Sequence, residues 1–283
     1  MAAPPFPVTS AVGQLPIKFR LGIAVLKPEP GLMWFASTIA SARERKNALR
    51  EMLRHLGWFN LGLYLLNRAA AMISKGNLRL DRYYLLAQPV REASLLPPGR
   101  GKKIEVRLIQ EQDAVVGQFP RPSAVIQSRF EQGAKCLGAF RGEQFIGFLW
   151  LLLGSYQEDE VRARYVPLPV GKAAWDFDVY VAPDSRLGLT FPRLWDEANR
   201  MLHKKGVNWT CSRISAFNIG SLESHAHLGI VSLGSAIFFC AGRWQFTVSS
   251  IYPYIHLSTH PGSFPEFRLD TQLLGKGFSF AKD

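Results

Sequence analysis

Cysteine is scarce in this chain. Cys136, Cys211 and Cys240 are the three thiols among 283 residues. An odd, sparse set inside apolar runs reads as buried free thiols in a reducing compartment and excludes a disulfide scaffold. No Cys/His spacing suits zinc, so no metal is expected. Residues 1–10 lack a cationic start followed by an apolar run, which argues against a secretory leader. No stretch approaches the roughly 20 apolar residues of a membrane-spanning helix. The most apolar run, Phe145 to Leu153, is too short for that and suits a buried central strand. Internal repeats and low-complexity tracts are also missing. These absences point to a cytoplasmic globular protein, long enough for one large domain or two small ones.

Acidic residues are scarce in one region. Residues 1–100 hold fourteen Lys and Arg against five Asp and Glu, and so carry nine of the twelve net positive charges. A basic third implies an anionic partner: an acidic protein, nucleic acid, a membrane surface or a phosphorylated ligand. Nucleic acid fits least, because the aromatics there cluster in an apolar segment and do not alternate with the basic residues as a stacking surface requires.

The N-terminal third reads as an arm followed by helices. Residues 1–35 are rich in Pro and Gly and suggest an extended arm with a short strand at Ile17 to Val25. Ser37 to Leu56 is expected to be helical, with Leu49, Met52, Leu53 and Leu56 as its apolar stripe and Arg43, Lys46, Arg50 and Arg54 largely on another face. Gly57 interrupts. Trp58 to Ile73 is a second helix, apolar nearly all round. The pair is either a hairpin packed on the rest of the protein or a peripheral anchor on an anionic membrane through Ser37–Ile73. Leu78 to Val90 reads as a strand. The turn-rich run Leu96 to Lys103 is the best boundary, dividing an N-terminal part (1–100) from a second domain (101–283).

Beyond it, Ile104–Ile109 is a strand, Ser123–Gln132 a helix, and Lys135–Phe140 with Gln144–Leu153 a hairpin. Tyr156 to Lys172 reads as a long charged loop. Trp175, Phe177, Val179 and Val181 then alternate with Asp176, Asp178 and Tyr180, the period of a half-buried strand. Leu194, Trp195, Ala198, Met201 and Leu202 form one helical stripe, with Pro192 tolerated in the first turn. A strand follows over about Asn208–Phe217. Asn218 caps a helix that stops at Leu228-Gly229. Ser235–Cys240 and Trp244–Ser250 make a hairpin, and the last thirty residues are expected to wrap or trail.

Two segments carry a family resemblance: Val181-x-Pro183-x-x-Arg186 with Leu194 eight residues later, and Asn218-x-x-Ser221-x-x-x-His225-x-x-Leu228-Gly229. They resemble the coenzyme-binding half of the GNAT superfamily of acyl-CoA-dependent N-acyltransferases, over roughly residues 104–250. The resemblance implies an α/β (α+β) fold: a mixed, mostly antiparallel sheet flanked by helices, here with an N-terminal helical extension. It implies transfer of an acyl group from a thioester to an amine by direct attack in a ternary complex. The donor would be acetyl-CoA, a longer acyl-CoA or an acidic acyl carrier protein, and the amine acceptor stays open. One departure matters. The family's loop R-x-x-G-x-G/A reads here Arg186-Leu187-Gly188-Leu189-Thr190-Phe191, with bulky Leu189 and Phe191 where small residues let backbone N–H groups close on a pyrophosphate. Weak binding of free coenzyme A is therefore expected, which suits a carrier-protein donor.

The candidate catalytic residues are His225, Asp176 and Asp178. His225 stands where the family often places the tyrosine that protonates the departing thiolate, and imidazole can act as acid or base near neutrality. It can equally be a helix-surface histidine packed beside the loop. Asp176 and Asp178, at i and i+2, are expected on one face, where mutual repulsion raises one pKa toward that of a useful base; a solvated or salt-bridged pair is the alternative. The candidate donor-binding residues are Tyr180 and Val181, whose backbone could hold the thioester carbonyl, then Arg186, Leu187, Gly188, Leu189 and Thr190 of the loop, and Asn218 and Ser221, which otherwise only cap a helix. A non-catalytic binding protein on the same fold is the second reading.

Overall fold

A computed structural model describes residues 42–186 and 188–276. The expected arm over residues 1–35, its strand at Ile17–Val25, and Leu187 lie outside the described residues. The chain begins with a helical segment, α1 (Ala42–Ile73), broken at Gly57, whose φ of 72° and ψ of 167° leave the helical region. Glycine meets no Cβ penalty there. Met52, before the break, shares one groove with Tyr64, Met72 and Ile73 after it. A straight helix would separate Met52 and Ile73 by about 30 Å, so the chain doubles back at Gly57.

The strands and later helices follow in order: β1 (Leu78–Pro89), β2 (Glu105–Ile109), α2 (Ser123–Glu131), β3 (Lys135–Arg141), β4 (Gln144–Leu152), β5 (Tyr156–Gln157), β6 (Arg164–Leu168) and β7 (Ala173–Val181). Next come α3 (Thr190–Lys204), β8 (Trp209–Ser215), α4 (Ile219–Ala226), β9 (Val231–Ala241), β10 (Trp244–Ser249), β11 (Ile255–Ser258) and β12 (Glu266–Asp270). Nine strands form one sheet in the order β11-β10-β9-β1-β8-β7-β4-β3-β2. All neighbours in it are antiparallel except β7 and β8. The fold is thus the mixed, mostly antiparallel sheet with flanking helices that the sequence implies.

Each face of the sheet has its own core. One carries Ile146, Leu149, Leu151 and Ala174 under Leu194, Trp195, Ala198 and Leu202 of α3. Alpha1 shares this face: Asn60 donates to the Tyr84 hydroxyl at 2.9 Å, and the Tyr64 ring meets Phe217 edge-on at 5.7 Å. The opposite face is strongly aromatic, with Phe119, Phe148, Trp150, Trp175 and Phe267 buried together.

Two regions differ from the sequence reading. Tyr156–Lys172 is not one long loop. Its β5 and β6 form a second, three-stranded sheet with β12, in which Phe267 pairs with Tyr165. The chain's last part therefore contributes β11 and β12 to the two sheets. The boundary at residue 101 also falls inside one sheet, because β1 lies between β8 and β9. The side chains of Leu85 and Ala87 on it are completely buried.

Candidate functional site

Beta7 and β8 run parallel and pair only over Ala173–Trp175 and Trp209–Cys211. Beta7 continues six residues further, to Val181, so the two strands separate after Trp175 and Cys211. On its other side β7 pairs with β4, where Trp150 faces Phe177 and Phe148 faces Tyr180. Two residues of β7, Asp178 and Val179, thus oppose the single residue Leu149. This is a β-bulge, which re-aims side chains and interrupts the ladder. Asp178 is the extra residue, with a φ of 47° in the left-handed region.

The bulge separates the two aspartates. Asp176 follows Ala174 on the α3 face, beside Thr210. Asp178 turns to the aromatic face, where Arg121 Nε reaches its Oδ2 at 2.8 Å and Arg121 Nη2 and Arg129 Nη1 also donate to it. Arg129 is held in turn by Asp159 at 2.8 Å and lies over the Phe177 ring at 5.2 Å. The expectation of two carboxylates on one face is corrected: one inserted residue reverses the alternation. A carboxylate bonded to two guanidiniums is a lock on the bulge.

Asp176 is different. It is 1% exposed, and its Oδ2 has no hydrogen-bond partner among the described residues. Burial pushes its pKa up to about 7, the Thr210 hydroxyl acting in the opposite sense. The expected cause, repulsion from Asp178, is absent; desolvation alone makes this carboxyl titrate near neutrality.

His225 is buried on α4. Its Nδ1 lies 2.8 Å from the Ser221 carbonyl, which can only accept, so Nδ1 carries the hydrogen and Nε2 is the basic nitrogen. Phe191 and Trp195 of α3 meet the imidazole edge-on at 5.4 and 5.9 Å. Burial lowers its pKa. A neutral ring with an acceptor Nε2 suits a base better than an acid, and it is not a surface histidine.

The loop residues divide. Asn218 caps α4, its Oδ1 accepting from Ser221 N at 3.1 Å. Arg186 Nε lies 3.3 Å from the Val181 carbonyl at the end of β7. Leu189 and Phe191 pack against the α3-side core, and the buried Thr190 hydroxyl has no hydrogen-bond partner among the described residues. Pro192, third in α3, has no N–H to offer an anion.

Sequence reasoning missed Arg121, Arg129 and Gly147. The arginines lie 57 and 49 residues from Asp178, with no local signal. Gly147 had one: a lone glycine in an apolar strand often marks a close approach. A Cβ there would lie 2.5 Å from the Tyr180 carbonyl oxygen and 3.4 Å from Thr190 Cγ2, so only glycine lets β7 and α3 close on β4. Among the described residues, no group of three His, Cys, Asp or Glu could hold a metal ion, and no helix is long and apolar enough to cross a membrane.

No family model and no curated protein matches the chain. Solved structures similar to it include a GCN5-related N-acetyltransferase from Sphaerobacter thermophilus, at 12% identity and TM-score 0.37 over 64% of this chain and 56% of that one. A tandem GNAT protein from the clavulanic acid biosynthesis pathway matches at 13% identity and TM-score 0.41 over 64% and 58%. The GCN5-related glucosamine N-acetyltransferase region of a fungal multi-domain GH3 β-N-acetylglucosaminidase matches at 20% and TM-score 0.39 over 59% and 22%. The chain therefore spans less than two thirds of the length of each.

Proposed function

We propose that the protein is an N-acyltransferase that takes its acyl group from a thioester. One observation carries this reading: the parallel pair β7/β8 stops at Trp175, leaving the β8-side edge of β7 from Asp176 to Val181 without a strand partner among the described residues, beside a bulge. An extended, amide-bearing pantetheine arm can add to such an edge as a strand does. Backbone N–H groups near Tyr180 and Val181 would then hold the oxyanion formed when the amine attacks the thioester carbonyl. The amine gives its proton to a base; His225 Nε2 and the Asp176 carboxylate are the two groups whose buried settings suit that task. The tetrahedral intermediate collapses with cleavage of the C–S bond, the amide forms, and the thiolate takes up a proton.

The donor is read from the loop. Leu189 and Phe191 fill space at the start of α3, and Pro192 removes one donor, so a pyrophosphate finds few N–H groups there. A phosphopantetheinyl carrier protein, acidic and lacking the nucleotide, fits this loop and the basic charge better than free coenzyme A. Packing of Phe191 on His225 also favours a second reading, a binding protein that has lost catalysis.

Calorimetry separates them. Acetyl-CoA is expected to bind weakly or not at all, while an acylated carrier protein binds and, with a panel of amines, yields amide product. Micromolar binding of acetyl-CoA would remove the case for a carrier. Absence of turnover with every donor would leave the non-catalytic reading.

A further inference from the structure

Strand β10 is inside out. Gln245, Thr247 and Ser249 are buried, whereas Trp244, Phe246 and Val248 are exposed, Trp244 by 47%. The inner polar groups are accounted for: Gln245 Nε2 donates to the Arg162 carbonyl at 2.7 Å, and its Oε1 accepts from Arg162 N at 2.8 Å. The outer apolar residues have no such explanation, and they continue across the sheet. Cross-strand register puts Leu80, Phe239, Phe246 and Leu257 in one row, and Arg82, Ile237, Val248 and Ile255 in the next. Alpha1 borders these rows on the same face: Arg82 stacks on Phe59 at 4.7 Å, and Asn67 accepts from Leu80 N at 2.8 Å. Trp58 and Ile73 of α1 are 80% and 84% exposed. Between its two arms lies an apolar groove of about 400 Å³ whose one charged wall residue is Arg68. The exposed Phe239, Phe246, Val248, Ile255 and Leu257 of the rows, with the helix edge, thus make an apolar surface of the kind that marks an interaction site.

Charge decides what covers it. Residues 52–80 and 224–265, which build this surface, contain no Asp or Glu, while Arg54, Arg68, Lys75 and Arg243 belong to them and Arg82 lies just beyond the first. A second copy docked by symmetry would set these cations against their own images with no carboxylate to neutralise them. An anionic, apolar-cored surface meets both demands. Trp244, Tyr252 and Tyr254 are aromatics of the kind that settle at headgroup depth. We infer that the α1/β9–β11 face seats the protein on an anionic phospholipid bilayer. This inference does not depend on the acyltransferase reading.

The full chain is floated with phosphatidylcholine vesicles and with equimolar phosphatidylcholine–phosphatidylserine vesicles, at low and high salt, and its oligomeric state is read by light scattering. The expected result is a monomer that floats with the serine-lipid vesicles alone, and less at high salt. Trp244→Ser/Phe246→Ser, both at exposed positions, should lower partitioning about tenfold, and Arg68→Glu/Lys75→Glu about as much, each with an unchanged melting temperature. Failure to float on serine-lipid vesicles overturns the inference. So do equal flotation on phosphatidylcholine alone and a dimer that Trp244→Ser/Phe246→Ser dissociates, the last assigning the face to a second copy.

Discussion

Asp176 and His225 make opposite demands on pH. Burial holds the Asp176 pKa at about 7, above the ordinary 3.8. The folded state therefore keeps a proton that the unfolded chain releases, and this contribution is present at low pH and lost as pH rises through about 7. His225 is shifted below its ordinary 6.5. Its neutral form is favoured on folding, so its contribution is present above about 6.5 and lost as pH falls. Asp176→Asn should remove the alkaline loss and stabilise the protein at about pH 8 by on the order of 2–4 kcal/mol. Thermal denaturation at acid and alkaline pH checks this; an unchanged alkaline limb would mean that the carboxyl is already ionised at no cost. The same substitution should lower acyl transfer if Asp176 is the base. His225→Ala tests the other candidate. A positioned base contributes about 10²–10⁴ in rate, so kcat should fall on that scale with KM for the donor little changed. A loss confined to stability would make His225 a packing residue held between Phe191 and Trp195.

At the scale of elements, legibility followed locality. Strand β7, helix α3, strand β8 and helix α4 could be read because each announces itself within about a dozen residues: alternation, a helical stripe, an Asn218 cap. Beta5 and β6 could not. Beta5 is two residues long, too short for a period, and β6 is five residues carrying Arg164 and Pro167, whose partner β12 lies about a hundred residues on while β5 pairs with β6 alone. The site was half legible for a similar reason. His225 and Asp176 were singled out as candidates by motif and pattern, but a one-residue bulge, invisible in composition, turned Asp178 away to Arg121 and Arg129. That assignment has its own test. Asp178 and Arg129 side chains are 11% and 6% exposed, so Asp178→Asn leaves a nearly buried cation short of a partner. It should destabilise the fold by about 3 kcal/mol and should loosen the bulge, raising donor KM more than it lowers kcat. A variant that keeps full stability and loses only kcat would restore Asp178 to the chemistry.

Across the whole molecule, the N-terminal part and the candidate catalytic part share one sheet through β1. Its residues Tyr83–Pro89 bond to β8, and Leu78–Ala87 bond to β9 on the other side. Without β1, the β8 and β9 edges would lie open on opposite sides of a gap, and β9–β11 would lose their link to the rest of the main sheet. Unpaired central edges leave backbone polar groups and apolar side chains in water together. Beta8 is also one wall of the cleft, so its loss of support reaches the site directly. The turn-rich run at Leu96–Lys103 looks like a domain boundary because Pro, Gly and Lys make any such stretch surface-bound; surface exposure of a linker does not show that the parts it joins fold separately. A chain beginning at residue 101 should therefore lack a cooperative thermal transition by circular dichroism and should aggregate through its open edges. A chain beginning at Gly76, which keeps β1 and discards α1, should regain the transition at a lower midpoint. A cooperative melt from the shorter chain alone would show that residues 101–283 close their own sheet, and the central place of β1 would then be wrong.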